Sequence, residues 1–257
     1  MDPNRNTPGK TIKSLDTAFD IVEHLHEVDG ARIAELSKSL GMPKSTIHSH
    51  LATLRNRGYV VQEGDIYYVG LLFLNLGTGA RERHVLYDIA KPKMERLAKE
   101  TNERTQLMIE EQGRGIYVYR ARGSRSIQTA SRIGEPRYLH TSAAGKAILA
   151  RYPDDQVERI IDQWDLKSMT EQTLTSRDQL FEELATIREQ GYATNREERI
   201  EGLWAIGAAI TAPRSVLGAL SVSGPTFRIK EQQRETEIRN QLLGVINEIE
   251  LELRSSQ

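Results

Sequence analysis

Residues 30–69 read GARIAELSKSLGMPKSTIHSHLATLRNRGYVVQEGDIYYV. Ile33, Leu36 and Leu40 recur at helical spacing, and the pattern stops at Gly41, a residue suited to the left-handed backbone of a helix end. Pro43 follows, well placed to open a further helix. In that helix Ile47, Leu51 and Leu54 point inward and leave Lys44, Ser45, His48, Ser49 and Arg55 on or near the opposite surface. Val60–Gln62 and Ile66–Val69 are β-prone and meet across Glu63, Gly64 and Asp65, so a hairpin is expected. Working outward to the N-terminal side, Ser14 is a candidate N-cap, and Leu15, Ala18, Ile21, Val22 and Leu25 fall on one face of a first helix. Helix, tight turn, helix and hairpin in this order are the layout of a winged helix-turn-helix.

The charge pattern points to DNA as the partner of that unit. The 257 residues carry a net charge of -1, but from Leu36 to Val61 there are four cations, Lys38, Lys44, Arg55 and Arg57, and no acidic residue. Short polar donors and a cation crowd the first turns of the third helix, where a recognition helix reaches base edges and phosphates. For Arg55 and Arg57, at the C-terminal end of that helix, a favourable meeting with the helix dipole is as good an account as a phosphate contact. Glu63 and Asp65 put two carboxylates at the hairpin tip, which opposes deep docking of the wing in a minor groove.

Other classes fall away on composition. An apolar share of 38% supports real cores, and the length suits two domains. No apolar run is long enough to span a bilayer, and MDPNRNTPGK lacks the apolar stretch of a signal peptide, so a cytoplasmic protein with no membrane partner is expected. Zero cysteines remove disulfides, zinc–thiolate sites and thiol nucleophiles. His24 with His26, and His48 with His50, sit two apart on helices and point about 200° apart, so no metal site follows. Gly145-Lys146 fails as a phosphate loop because His140 and Ala147 stand where Gly and Ser or Thr are required. There is no Gly-x-Ser-x-Gly motif, and beyond residue 80 the histidines are His84 and His140. No catalytic residue and no cofactor are assigned; an unrecognised enzyme, or an architectural DNA-binding protein without ligand control, are the alternatives.

After the hairpin, Leu71, Leu72, Phe73, Leu74 and Leu76 form an apolar cluster that needs a partner, followed by a charged stretch ending at His84. The remainder alternates helices and strands. A helix over 86–101, bent or interrupted at Pro92, precedes β-prone runs at Gln106–Ile109, Ile116–Arg120 and Ile127–Ser131. Ser176 with Gln179 reads as a capping box ahead of a helix through Leu180, Leu184 and Ile187 that Gly191 stops. Strands at Ile206–Thr211 and Val216–Ser223 follow, and a last helix over 231–254 lays Ile238, Leu242, Val245, Ile249 and Leu253 on one face. The fold class is α+β: an antiparallel sheet with packed helices behind the helix-turn-helix.

Two features could hold a small ligand over the sheet. Ala143, Ala144 and Gly145 open a helix, and Ser221 and Ser223 share one strand face. A solvent-facing row is the alternative for the serines. Arg196, Glu197, Glu198 and Arg199 are expected as a solvated loop without chemistry.

IKSLDTAFDIVEHL (12–25) and IAELSKSLGMPKSTIHSHLATLRNRGYV (33–60) resemble the DNA-binding domain of IclR-type transcriptional regulators. LHTSAAGKAILA (139–150), EELATIREQGYATNREERIEGLWAIGAAI (182–210) and LGALSVSGP (217–225) are similar to that family's effector domain, in its order and spacing. The resemblance covers nearly the whole chain from Thr11. It implies a winged helix-turn-helix domain over 11–72, a linker helix over 73–84 that helps join two subunits, and a GAF-like effector-binding and oligomerisation domain over 85–257. It implies contact with a double-stranded operator by Arg32, Lys44, Ser45, Thr46, His48 and Ser49, with Arg55 a weaker candidate. Around an effector, whether an organic acid, an aromatic acid or a sugar derivative, it places Arg137, Ala143, Ala144, Asn195, Leu203, Ala205, Ser221 and Ser223. Arg137 and Asn195 depart from the versions associated with glyoxylate or pyruvate sensing, and for Arg137 a surface salt bridge is the alternative. The implied protein is a homodimeric or tetrameric regulator of a catabolic operon.

Overall fold

The computed structural model describes residues 10–126, 132–213, 215–229 and 232–255. The chain divides into two compact units, one ending at Arg81 and the other running from Glu82.

In the first unit α1 spans Lys13–Glu27, α2 Ile33–Ser39 and α3 Lys44–Asn56, followed by the antiparallel pair β1 (Val60–Glu63) and β2 (Ile66–Val69). Ile21, Leu25, Leu36, Ile47, Leu51, Val60 and Tyr67 form its core. Ile12, not Ser14, stands at the start of α1: its carbonyl already accepts from the amides of Leu15 and Asp16, so Ser14 lies inside the first turn. Leu15 is exposed, because the buried stripe runs through Thr17, Ile21 and Leu25.

Between α2 and α3 the chain reverses at Gly41, with φ of +64°. Two bonds lock that turn, Met42 N to Ser37 O at 3.1 Å and Ser37 Oγ to Met42 O at 2.6 Å. Ala31 and Tyr67 exchange backbone hydrogen bonds of 3.0 and 2.9 Å, tying the start of α2 to the hairpin. Gly30 just before it has φ of +104°, and a Cβ there would collide with the Tyr68 ring. Glycine is required by backbone conformation and by space alike.

α4 (Leu72–Glu82) follows, with Leu74 and Leu76 exposed while Phe73 packs on Tyr59 at 4.9 Å between ring centroids. The second unit continues with α5 (Val85–Thr101), β3 (Arg104–Glu111), β4 (Arg114–Arg122), β5 (Pro136–Tyr138) and α6 (Ala143–Leu149). Then come α7 (Asp154–Trp164), α8 (Arg177–Gln190), β6 (Ala193–Arg196), β7 (Leu203–Ala212), β8 (Ser215–Pro225), α9 (Thr226–Ile229) and α10 (Gln232–Ser255). β5 and β6 are short edge strands that the sequence pattern did not announce.

The six strands make one antiparallel sheet in the order β5-β4-β3-β8-β7-β6. α5 and α10 cover one face through Met94, Leu97, Leu107, Ile206, Leu220, Val222, Leu242 and Ile249. α6, α7 and α8 cover the other through Met108, Ala144, Ala147, Ile161, Leu184, Ala209 and Ala219. The architecture is α+β, as the alternating pattern implied.

α5 is not interrupted at Pro92. The missing amide removes one bond, that to the Asp88 carbonyl, while burial of Ala90, Met94 and Leu97 holds the helix together. Ser176 does stand at the N-cap of α8, but its side chain makes no capping bond, so the capping box is not formed. Gly191 ends that helix in the left-handed conformation. The β-prone run Ile127–Ser131 lies outside the described residues.

Candidate nucleic-acid interface and effector site

α3 presents Lys44, Ser45, His48 and Ser49 to solvent, with Thr46 half-buried. Lys44 and His48, and likewise Ser45 and Ser49, are four residues apart and so stack on one helix face. Its first turn carries no carboxylate, which leaves the positive end of the helix dipole uncompensated toward a phosphate backbone. Ser49 Oγ donates to Ser45 O at 3.0 Å, leaving its oxygen lone pairs outward. The other two cations among the candidate DNA contacts, Arg32 and Arg55, are held by neighbours. Arg32 Nε lies 2.5 Å from Asp65 Oδ2 and its Nη1 3.5 Å from Glu35 Oε1, and Arg55 Nη1 donates to Gln62 Oε1 at 2.5 Å. Asp65 holds Arg32 charged, and Arg32 draws the Asp65 carboxyl below its usual range. One of the two carboxylates at the hairpin tip is therefore matched within the unit.

In the second unit the sheet face toward α6 carries polar side chains at one end. Strand register places Arg104 of β3 opposite Ser223 of β8, which is opposite Ala205 of β7, which is opposite Asn195 of β6. Two residues along, Gln106 stands beside Ser221, and Ser221 beside Gly207. Ser221 and Ser223 are buried, so the solvent-facing alternative is excluded. Arg104 donates to Ser223 Oγ from Nε at 3.1 Å and from Nη2 at 3.0 Å. Asn195 Nδ2 donates to Thr141 O at 2.7 Å and sits 3.5 Å from Glu198 Oε2. Leu203 is buried and lies, like Ala205, on the opposite side of β7 from Trp204, which belongs to the α5/α10 core.

A β-bulge decides what β4 contributes. Leu107 pairs with Tyr119 but Met108 pairs with Tyr117, so Val118 is an extra residue and both Val118 and Tyr119 turn to the α5/α10 side. Tyr117 and Arg120 consequently share the other face. Tyr117 is bonded to Ser142, and Arg137 of β5 is buried with an ion pair to Glu135. Burial pulls the Arg104 guanidinium down to about 10, with Arg120 the next cause. Burial lowers Arg120 also, with Arg122 and Arg137 adding to it, and raises the Tyr117 phenol, which Arg104 opposes.

The start of α6 is less open than its small residues suggest. Ser142 Oγ already accepts from Gly145 N at 3.1 Å, and a Cβ on Gly207 would lie 2.7 Å from Ala144 N. Helix and strand are in near backbone contact there, so Ala143 and Ala144 floor the site rather than offer a row of free amides. The stretch Arg196–Arg199 is not wholly solvated either: Glu198 is buried and bonded to Lys146. Arg104, Gln106, Tyr117 and Arg120 were not anticipated as site residues. Arg104 and Gln106 alternate with Thr105 and Leu107, a period-two polar row visible in sequence, but Arg120 is in phase only because of the bulge.

Residues 14–64 match the IclR helix-turn-helix domain, and residues 79–250 match the bacterial transcriptional regulator IclR C-terminal domain. The chain belongs to the IclR family. It is 36% identical to the probable HTH-type transcriptional regulator ArcR of Halobacterium salinarum across the full length of both chains. The crystal structure of Thermotoga maritima IclR superposes with a TM-score of 0.79 at 26% identity, over 95% of this chain and 99% of that one. An IclR homologue from Microbacterium hydrocarbonoxydans, complexed with 4-hydroxybenzoate, shares the fold at a TM-score of 0.78 and 22% identity, over 93% and 99% of the two chains. As an IclR-family protein the chain is a DNA-binding transcriptional regulator with a C-terminal effector domain, and the proteins it matches are regulators, not enzymes. Among the described residues no helix is long and apolar enough to cross a membrane, and no group of three potential metal ligands is formed.

Proposed function

We propose that this IclR-family regulator controls a catabolic operon in the cytoplasm by binding its double-stranded operator as a homodimer or dimer of dimers. In this reading residues 11–72 bind DNA, 73–84 link, and 85–257 sense a small metabolite. Lys44, Ser45, Thr46, His48 and Ser49 make the principal DNA contacts; Arg32 and Arg55 contribute after exchanging their carboxylate and amide partners for phosphate. The effector lies over the sheet among Arg137, Ala143, Ala144, Asn195, Leu203, Ala205, Ser221 and Ser223. The observation that carries the sensor reading is the burial of polar Ser221, Ser223, Asn195 and Arg137 on one sheet face, an expensive arrangement in a domain that only needs a core.

The effector acts by linkage: it changes operator affinity only so far as it favours one arrangement of the paired subunits, typically by about 1 to 3 kcal/mol. The exposed leucines of α4 suit it to carry that coupling between subunits. Genome-wide footprinting of the bound protein tests the reading. Discrete sites beside a catabolic operon, released by that pathway's metabolite, are expected; broad occupancy insensitive to every metabolite would point to an architectural role instead.

A further inference from the structure

The donors on the effector face fall into two groups. One gathers at β3 and β8: the Arg104 guanidinium, the Gln106 amide and the hydroxyls of Ser221 and Ser223. The other is borne by β4 and β5: Arg120, whose backbone stands beside Gln106, and Arg137, opposite Gly115 and ion-paired to Glu135, with the two guanidiniums within electrostatic reach of each other. Tyr117 stands between them, within electrostatic reach of Arg104, Arg120 and Arg137 together. Two of these donors are deeply buried and, among the described residues, lack any hydrogen-bond partner: Gln106 Nε2 and Arg137 Nε. Buried polar atoms are normally satisfied, so each marks a place where another molecule's acceptor belongs.

Resting on the effector-site reading above, we propose that the effector is a small anion with two negatively charged ends, one held by Arg104, Gln106 and Ser223 and the other by Arg120 and Arg137. The first end is a carboxylate in reach of a guanidinium already oriented by Ser223 Oγ, 3.0 Å from Nη2. The second is either another carboxylate or a phosphate, since both accept from paired guanidiniums. Even with Glu135 paired to Arg137, a singly charged acid would leave one end of this cationic face meeting an uncharged part of the ligand. A neutral sugar would leave both so. The crowding of like charges supports the same conclusion, because Arg120 lowers the affinity of Arg104 for its proton, Arg137 lowers that of Arg120, and a doubly charged ligand relieves both.

The test uses the full-length protein and matched ligands built on common carbon skeletons, aliphatic and aromatic. Each monocarboxylate (butyrate, benzoate) is compared with its dicarboxylate (succinate, phthalate), and glycerol with glycerol 3-phosphate, by thermal shift and then by calorimetry. The tightest ligand is expected to be a dianion, at least about tenfold tighter than its singly charged counterpart. The carboxylate and phosphate arms show which second group is used. Arg120→Gln, at a half-buried position, should lower dianion affinity more than monocarboxylate affinity and so remove most of the dianion preference; Arg104→Gln should weaken both, with circular dichroism confirming that it folds. If the tightest ligand is a monocarboxylate or a neutral sugar, with affinity indifferent to Arg120→Gln, the two-ended anion is wrong and the effector-site reading survives. If no compound in the series binds and operator affinity responds to none of them, both readings fall.

Discussion

Lys146 Nζ donates to Glu198 Oε1 at 2.8 Å, joining α6 to the loop after β6, and the lysine is only 1% exposed. A second bond, 2.9 Å to Glu183 Oε1, reaches α8, so one ammonium ties three elements around the floor of the effector site. Burial raises the Glu198 carboxyl above its usual range, and Lys146 is the leading influence against that rise. Such a pair adds little net stability over an apolar substitute, but removing one partner alone strands the other charge.

Lys146→Met should therefore cost about 3 to 5 kcal/mol of folding stability near neutral pH, read by urea denaturation. The loss has a defined pH dependence. Without Lys146 the folded-state Glu198 rises further, so the folded protein takes up a proton at a pH where the unfolded chain does not. Stability of the variant then recovers, and the gap to the wild type narrows, as pH falls from neutral toward the unfolded carboxylate range. A gap that stays constant across that range would mean Glu198 is not the stranded charge.

Lys44 is exposed at the start of α3, and among the described residues no ion pair engages it. Lys44→Ala should weaken operator binding and reduce the slope of log K against log salt by about 0.9, the value for one lost phosphate contact. Measured anisotropy titrations at several salt concentrations decide this. An unchanged slope with altered base preference would make Lys44 a reader of bases.

Asp65 both holds Arg32 and carries negative charge at the hairpin tip. Asp65→Asn removes that charge and releases Arg32, so operator affinity should rise several-fold and the salt slope steepen by up to about one unit. Exposed pairs of this kind contribute little to folding, and the melting temperature should barely move. Weaker DNA binding in this variant would show instead that Asp65 orients Arg32 for its contact.

Gly207 sits where β7 and α6 touch through their backbones. Gly207→Val should force the helix off the sheet, costing about 1 to 3 kcal/mol, and should weaken effector binding with operator affinity little changed. Thermal melts beside calorimetric titration would separate the two effects, and a melting curve identical to wild type would contradict the close approach.

Leu74 is 67% exposed and Leu72 42% exposed on α4. Replacing both with Ala should raise the dimer dissociation constant or uncouple effector binding from operator release, measured by sedimentation and by footprinting with effector. Normal behaviour in both would remove α4 from subunit communication.

Local periodicity carried much of this protein's description. The spacing of Ile33, Leu36, Ile47 and Leu51, the stops at Gly41 and Gly191, and the long apolar stripe of α10 are interactions between neighbours in sequence, and they were readable there. So were the polar start of α3 and the alternation of Ser221 and Ser223 with Leu220 and Val222. Tertiary structure decided what depends on partners distant along the chain. The Asp65 that captures Arg32 lies 33 residues away, and the Glu198 that neutralises Lys146 lies 52 residues away, in a stretch whose composition suggested only a solvated loop. The bulge at Leu107 and Met108 reversed the facing of half of β4 and brought Arg120 onto the effector face, because one extra residue shifts a period of two by half a cycle. Helix and strand periods are written residue by residue, whereas register, burial and charge pairing are set only when separate segments meet.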